Sequence, residues 1–272
     1  MKKQYISIVL LLTVLILSGC SNTNDSSNSG DLAKTTSNVS GNDVVLPELL
    51  ESDLIKQDEF TEGVWIKRYP DNTACFKFET PEGIKIITDP FGMNETVHTD
   101  IVTESHQDFD HVDVSMLETP YELINSTGEF NVKGINITGF PGKHNMGDGD
   151  VTNIIYVFNI NDITIAHFAS QGELPSEDTL DQIGEVDILL IQVFPDNSFM
   201  KLTMEDFDAI IGKLSPKIVI SEHGSSTAGT SMAQSVNTVA EYAESGEIVV
   251  TRSILDDIEG IKIIDLYHEL SK

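Results

Sequence analysis

Residues 101–114 read I-V-T-E-S-H-Q-D-F-D-H-V-D-V. The apolar run over 100–103 predicts a short strand. The polar segment behind it sets His106, Asp108, Asp110 and His111 within six residues. Imidazole and carboxylate are the groups that hold zinc and related divalent ions, so four of them at the end of one strand mark a candidate metal loop. Upstream, residues 63–69 and 73–79 alternate apolar and polar around Asp71-Asn72, which predicts a hairpin. A turn at 81–83 leads to a strand over 84–88 that ends at Asp89-Pro90. Downstream, a short helix is expected over about 112–117, and strands over 121–125 and 134–140. A Gly-rich loop over 141–150 contains His144, and strands over 153–160 and 163–168 meet at Asn161-Asp162.

From there helices and strands alternate. Residues 176–183 read as a helix with acids in its first turn. Residues 186–193 and 217–221 are continuous apolar runs, the mark of strands buried on both faces. Between them Thr203 caps a helix running to about Leu214. The second run leads into Glu222-His223-Gly224. A helix opening at Thr230 or Ser231 is expected to end near Gly246, with closing strands over 247–251 and 260–266. Two sheets with helices on their outer faces would bury every apolar run, an α/β arrangement.

The N-terminus has a different composition. Lys2 and Lys3 precede an apolar run over about 6–17 that ends in Leu17-Ser18-Gly19-Cys20. The run is short for a membrane span, and a basic flank before a short apolar core is the pattern of a secretory signal. Its ending resembles a bacterial lipoprotein signal over 1–19, cleaved before Cys20, with palmitate-type acyl chains on the mature cysteine; an uncleaved anchor helix is the alternative. Two acyl chains hold stably where one is marginal. The Ser-, Asn-, Thr- and Gly-rich stretch up to about 42 has almost no large apolar residues and reads as a tether. An acidic lead-in over 44–62 leaves room for a short helix. The expected division is signal 1–19, lipidated Cys20 and tether 20–60, and one folded domain over 61–272, at the cell membrane on its extracytoplasmic side.

Sixteen basic against 44 acidic residues give a net charge of −28. That excess argues against nucleic acid and against lying flat on anionic lipid. Membrane attachment through lipid and an unidentified small-molecule substrate are the expected partners. Of the two cysteines, Cys20 is assigned to lipid and Cys75 lies in an apolar strand pattern, which reads as a core residue.

The ligand loop resembles motif two of the metallo-β-lactamase superfamily, H-x-H-x-D-H, written here as H-x-D-x-D-H with Asp108 at the second histidine. Asp89 matches motif one, His144 falls where the third-motif histidine lies, and His223 where the last histidine lies. Residues 165–173, IAHFASQGE, are similar to the I-A-H-L-G-D-L-G-H stretch of the branch containing ascorbate-6-phosphate lactonase. The resemblance spans about 63–228 and implies the four-layer αββα sandwich of the metallo-β-lactamase fold. It also implies a metal-dependent hydrolase. The family's bridging aspartate is Ser170 here, and Glu173 replaces a histidine. A neutral hydroxyl is a poor bridge between two ions, so one divalent metal is expected, zinc first, manganese or iron open. The metal set implied is His106, Asp108 and His144 for a first site, and Asp110, His111 and His223 for a second. The second is the expected single-ion set, with Asp110 the catalytic proton acceptor and Asp89 and Ser170 in supporting positions.

The plainer readings stand beside these. His98, His167 and His268 read as structural, Asp148 and Asp150 as solvated loop acids, and Glu222 as a neighbour supporting His223. Asp108 is open between ligand and bystander. Three functions stay open: an anchored hydrolase, a catalytically degenerate binding protein on the same fold, and a lipoprotein delivering a small molecule or metal to a transporter.

Overall fold

The computed structural model describes residues 48–49, 60–69, 74–108, 111–144, 152–193, 202–222, 226–243 and 245–266. All lie in one compact unit, Val44–Lys272. The signal, Cys20, the tether and the Asp71-Asn72 turn lie outside the described residues.

In chain order the elements are β1 (Glu48–Leu49), β2 (Val64–Arg68), β3 (Phe76–Glu79), β4 (Lys85–Thr88), β5 (Val97–His98) and β6 (Ile101–Thr103). A 3-10 turn over Val114–Met116 precedes β7 (Leu117–Glu118), β8 (Glu122–Ile124), β9 (Gly128–Val132), β10 (Ile135–Lys143), β11 (Thr152–Ile160) and β12 (Ile163–His167). Then come α1 (Glu177–Ile183), β13 (Ile188–Ile191), α2 (Met204–Leu214), β14 (Ile218–Ser221) and α3 (Ser226–Ser235). β15 (Ala240–Tyr242), β16 (Glu247–Val250), α4 (Arg252–Asp257) and β17 (Lys262–Asp265) complete the series.

A nine-stranded sheet runs β1-β15-β17-β14-β13-β12-β11-β10-β9, and a six-stranded sheet runs β16-β2-β3-β4-β6-β8. The two face each other across one core, in which Phe78 of β3 meets Phe158 of β11 edge-on with ring centroids 5.3 Å apart. Period-two alternation divides the labour. In β13, Ile188 and Leu190 enter that core, while Leu189 and Ile191 face a second one with Leu180 of α1, Phe207 and Ile210 of α2 and Met232 of α3. This is the α/β sandwich expected of the chain. A third cluster, with Tyr69, Cys75, Ile87 and Val102, packs on Met93 and on Val97 and Leu117 of the β5–β7 ribbon. Cys75 is buried there, and burial pushes its thiol up to about 12.

Local chemistry explains most boundaries. The Thr203 side chain accepts from the Asp206 N–H and the Asp206 carboxylate answers to the Thr203 backbone, a reciprocal cap that opens α2 where expected. Three expectations need correction. The helix placed from 230 or 231 to near Gly246 starts at Ser226 and stops at Ser235. Asn237 takes φ 55°, and the Thr238 N–H bonds to the Ala233 carbonyl at 2.9 Å, which closes the helix by a Schellman turn. Residues after it join the sheet as β15, because Ala240 pairs with Ile263. β10 runs three residues past its expected end, taking Pro141 to Lys143 out of the Gly-rich loop, since β11 pairs with it as far as Lys143 opposite Thr152. In the lead-in where a short helix had room, the described residues Glu48 and Leu49 are strand, paired to β15.

Phe158→Ala removes the ring that joins the two sheets. It is expected to lower unfolding free energy by about 3–5 kcal/mol, read from urea denaturation, with a loss under about 1 kcal/mol speaking against one shared core.

Candidate metal centre

The site is built where β4, β6, β10 and β12 end. β4 and β6 are parallel, Thr88 opposite Thr103, so the chain leaves both strands at the same edge. Asp89 follows β4 with φ 40°, a left-handed conformation that aspartate tolerates, and its N–H bonds to the Thr103 carbonyl at 2.8 Å. Its side chain is turned inward and is 1% exposed. One carboxylate oxygen accepts the Ser105 N–H at 2.6 Å; the other faces Ser105 Oγ at 2.7 Å and His111 Nδ1 at 3.1 Å. Burial alone would raise this carboxyl. The His111 hydrogen bond, the nearby His111 and His167 rings and Ser105 outweigh it and hold it at about 2.

An ionised Asp89 dictates where the neighbouring protons sit. A carboxylate only accepts, so the Ser105 hydroxyl spends its proton on Asp89. Ser105 Oγ lies 2.9 Å from His106 Nδ1, and must accept there, which puts the His106 proton on Nδ1. His106 Nε2 is therefore the lone-pair nitrogen; it is buried and has no hydrogen-bond partner. Burial and the adjacent His111 push His106 down to about 4, so the ring is neutral at pH 7. His111 Nδ1 donates to the Asp89 carboxylate, and its Nε2 lies 3.0 Å from Ser170 Oγ.

His144 arrives at the end of β10. Gly142 makes that approach possible, because a Cβ there would sit 2.3 Å from Gln171 Oε1. That oxygen accepts from the Lys143 N–H at 3.0 Å and from Asn153 Nδ2 at 3.1 Å, which ties β10 to the segment carrying Ser170. One ligand atom each of His106, Asp108 and His144 lies within 4.8 Å of the others. The His106 ring is 4.5 Å from that of His144 and 4.1 Å from that of His111, centroid to centroid. Two imidazoles and a carboxylate suit zinc, manganese or iron, and the orphaned His106 Nε2 is what a metal ligand looks like before its ion.

The sequence-derived residues thus divide. His106, Asp108 and His144 come together as a ligand set. His111 and Ser170 are joined to Asp89 in a separate chain of contacts. Asp110 and His223, expected beside His111 as the single-ion set, lie outside the described residues. Glu222 is fully buried, 3.5 Å from His167 Nε2. Burial and the Asp89 charge raise its carboxyl well above the usual range against the opposing pull of Arg68, and burial holds His167 down at about 4. The two shifts both oppose charge at this contact, and His167 is neutral at pH 7. Ser105, Gln171 and Gly142 were not singled out from sequence. Ser105 stands in the opening stretch, where a hydroxyl beside a candidate ligand was its one signal.

A family model described as a beta-lactamase superfamily domain matches residues 71–223. No curated protein matches the chain. Among solved structures, a candidate zinc-dependent hydrolase of the metallo-beta-lactamase superfamily from Thermotoga maritima is similar, with TM-score 0.60 and 22% identity, covering 74% of this chain and 98% of that one. A candidate metal-dependent hydrolase from Parabacteroides distasonis gives TM-score 0.56 at 12% identity, over 79% of this chain and 98% of that one. CmlA, a diiron beta-hydroxylase from Streptomyces venezuelae, gives 0.53 at 10% identity over 70% and 54%. At these identities the likeness is one of fold.

Asp89→Asn removes the charge that fixes both histidines. We expect a loss of about 2–3 kcal/mol of stability at pH 7, measured by urea denaturation against wild type. The folded carboxyl lies below its unfolded value, so the wild-type advantage is complete above about pH 4 and fades as pH falls through about 2. An advantage that stays constant across that window would contradict the charged assignment.

Proposed function

The chain belongs to the beta-lactamase superfamily, and from that membership we propose that it is a lipid-anchored, extracytoplasmic hydrolase working with one divalent metal held by His106, Asp108 and His144. The observation that carries this reading is the convergence of those three ligand atoms within 4.8 Å, with His106 Nε2 buried and unpartnered. A divalent ion in such a set lowers the pKa of water and polarises a carbonyl or phosphoryl oxygen. Around it, Ser105 presents the His106 lone pair, and the end of β10 presents His144. Asp110 keeps the proton-accepting role assigned from sequence. Ser170, a neutral group at the family's bridging position, supports one ion over two.

The resemblance of residues 165–173 to the lactonase branch favours an ester or lactone of a small molecule. The net charge of −28 disfavours large anionic substrates. Leu17-Ser18-Gly19-Cys20 after a short apolar core supports the lipid anchor. No helix among the described residues is long and apolar enough to cross a membrane. A binding role without turnover is the second reading, favoured by the loss of the bridging aspartate at Ser170.

Full-length protein purified without added metal or affinity tag is expected to hold about one equivalent of zinc, manganese or iron by elemental analysis. The His106→Ala, His144→Ala double variant should hold none. Two equivalents would overturn the single-ion reading, and no metal in a folded wild type would overturn the hydrolase. Mass spectrometry of the membrane-extracted protein should find Cys20 at its N-terminus with acyl chains attached; an N-terminus upstream of Cys20, or an unmodified Cys20, would refute lipidation.

A further inference from the structure

His144 directly follows β10, so its place in the ligand set depends on what holds the end of that strand. Pairing of β10 with β9 stops at Gly139. Lys143, the residue before His144, closes the ladder with β11 opposite Thr152. Two further bonds fasten Lys143. Its N–H donates to Gln171 Oε1 at 3.0 Å, and its carbonyl accepts the Gly172 N–H at 2.8 Å. Gln171 is 1% exposed, and both ends of its carboxamide are engaged. Oε1 also accepts from Asn153 Nδ2 at 3.1 Å, and Nε2 donates to the Glu173 carbonyl at 2.7 Å. A buried amide met in this way is fixed in place, because turning it would leave polar atoms without partners.

The hold extends to a second ligand. Asn153 Nδ2 also donates to the Phe168 carbonyl at 3.0 Å. The next residue, Ile154, donates its N–H at 2.9 Å to the carbonyl of Ser105, which precedes His106. Residues 153–154 of β11 therefore hold the His106 loop directly and the His144 strand end through Gln171. The segment that delivers Gln171 is bent to do so. Ala169 takes φ 50°, a left-handed conformation disfavoured for a residue with a Cβ, and the Gln171 N–H closes the turn on the Phe168 carbonyl at 3.1 Å. Gly142 completes the fit: a Cβ there would stand 2.3 Å from Gln171 Oε1 and 3.2 Å from Asn153 Nδ2. The Lys143–Glu173 ion pair across the same join is partly exposed, and such pairs contribute little.

We infer that Gln171 is a positioning residue of the metal centre: its carboxamide, lodged against Gly142, fixes the end of β10 so that His144 meets His106 and Asp108 around one ion. The inference rests on the metal reading of those three residues and adds a residue that acts only through another side chain. Gly142 serves the same purpose, by leaving the space that the carboxamide fills. Loss of the carboxamide loosens the ion without undoing the sheets, because the strand ladders on either side of it do not pass through Gln171.

The test is cobalt(II) binding to the full-length protein after its own metal is stripped. Affinity is read by competition with a chromophoric chelator, and geometry from the visible absorption of the bound ion. Gln171→Met keeps the length of the side chain and lacks the amide oxygen. It is expected to bind cobalt about 10- to 100-fold more weakly than wild type, with a shifted absorption, in protein that circular dichroism shows to be folded. Gly142→Ala should lose affinity in the same range, since its methyl displaces the carboxamide. In Gly142→Ala, Gln171→Ala that obstacle is gone, and binding should fall within about threefold of Gln171→Ala alone. Thr203→Ala, which removes the cap of α2, should lower stability in urea and leave the affinity unchanged. Wild-type affinity and absorption in a folded Gln171→Met protein overturn the inference and leave the metal reading standing. So does a double variant as weak as the product of its two single losses. Should Gln171→Met not fold, unchanged affinity in Gly142→Ala overturns the inference instead. A wild type that takes up no cobalt, or cobalt held equally well by His106→Ala, His144→Ala, refutes the metal reading and the inference together.

Discussion

The buried charge of Asp89 is the constraint on which the site depends. A carboxylate removed from water is tolerable only when its oxygens are met by donors. Here the donors are a backbone N–H, a hydroxyl and an imidazole, all from the segment that follows β6. The requirement acts in both directions. Asp89 is stable because that loop is folded over it, and the loop keeps its shape because Asp89 demands three groups from it. Through Ser105 the same charge sets the tautomer of His106, and directly it holds the Nδ1 proton of His111.

The two histidines then have opposite duties. His106 presents an unshared nitrogen toward Asp108 and His144, while the corresponding nitrogen of His111 is met by a hydroxyl. Serine at position 170 sets a neutral hydroxyl 3.0 Å from His111 Nε2, where a carboxylate would bring a charge. The neighbouring polar layer keeps charge low. Burial works against charge on both Glu222 and His167, and Arg68 of β2 reaches across to Asp265 of β17 at 3.8 Å, linking the two sheets.

The elements were largely legible because burial writes itself into the pattern of the strands. The unbroken apolar runs of β13 and β14, the cap at Thr203 and the Asn161-Asp162 turn carry local chemistry that their surroundings did not override. The misplaced helix over 230–246 shows the limit: its residues allow helix, and pairing of Ala240 with Ile263 decided otherwise. β9 was missed although Lys133-Gly134 behind it, at φ 52° and 88°, makes a two-residue hairpin turn. In the site, ligand types were readable from spacing, and His106, Asp108 and His144, read as one set, lie together in the structure. Proton positions were not, because they follow from distances between Asp89, Ser105, His111 and Ser170 that no local pattern encodes. Gly142 was invisible for the same reason, its value lying in the Gln171 side chain, from the segment that follows β12.

The contacts that define the site join residues far apart in the chain: His111 lies 22 positions from Asp89 and 59 from Ser170. Such non-local pairs cost loop-closure entropy that only the docking of the strands on either side offsets. The cluster is therefore complete only in a chain whose two sheets have both formed, and it reports the fold as a whole rather than any one of its segments.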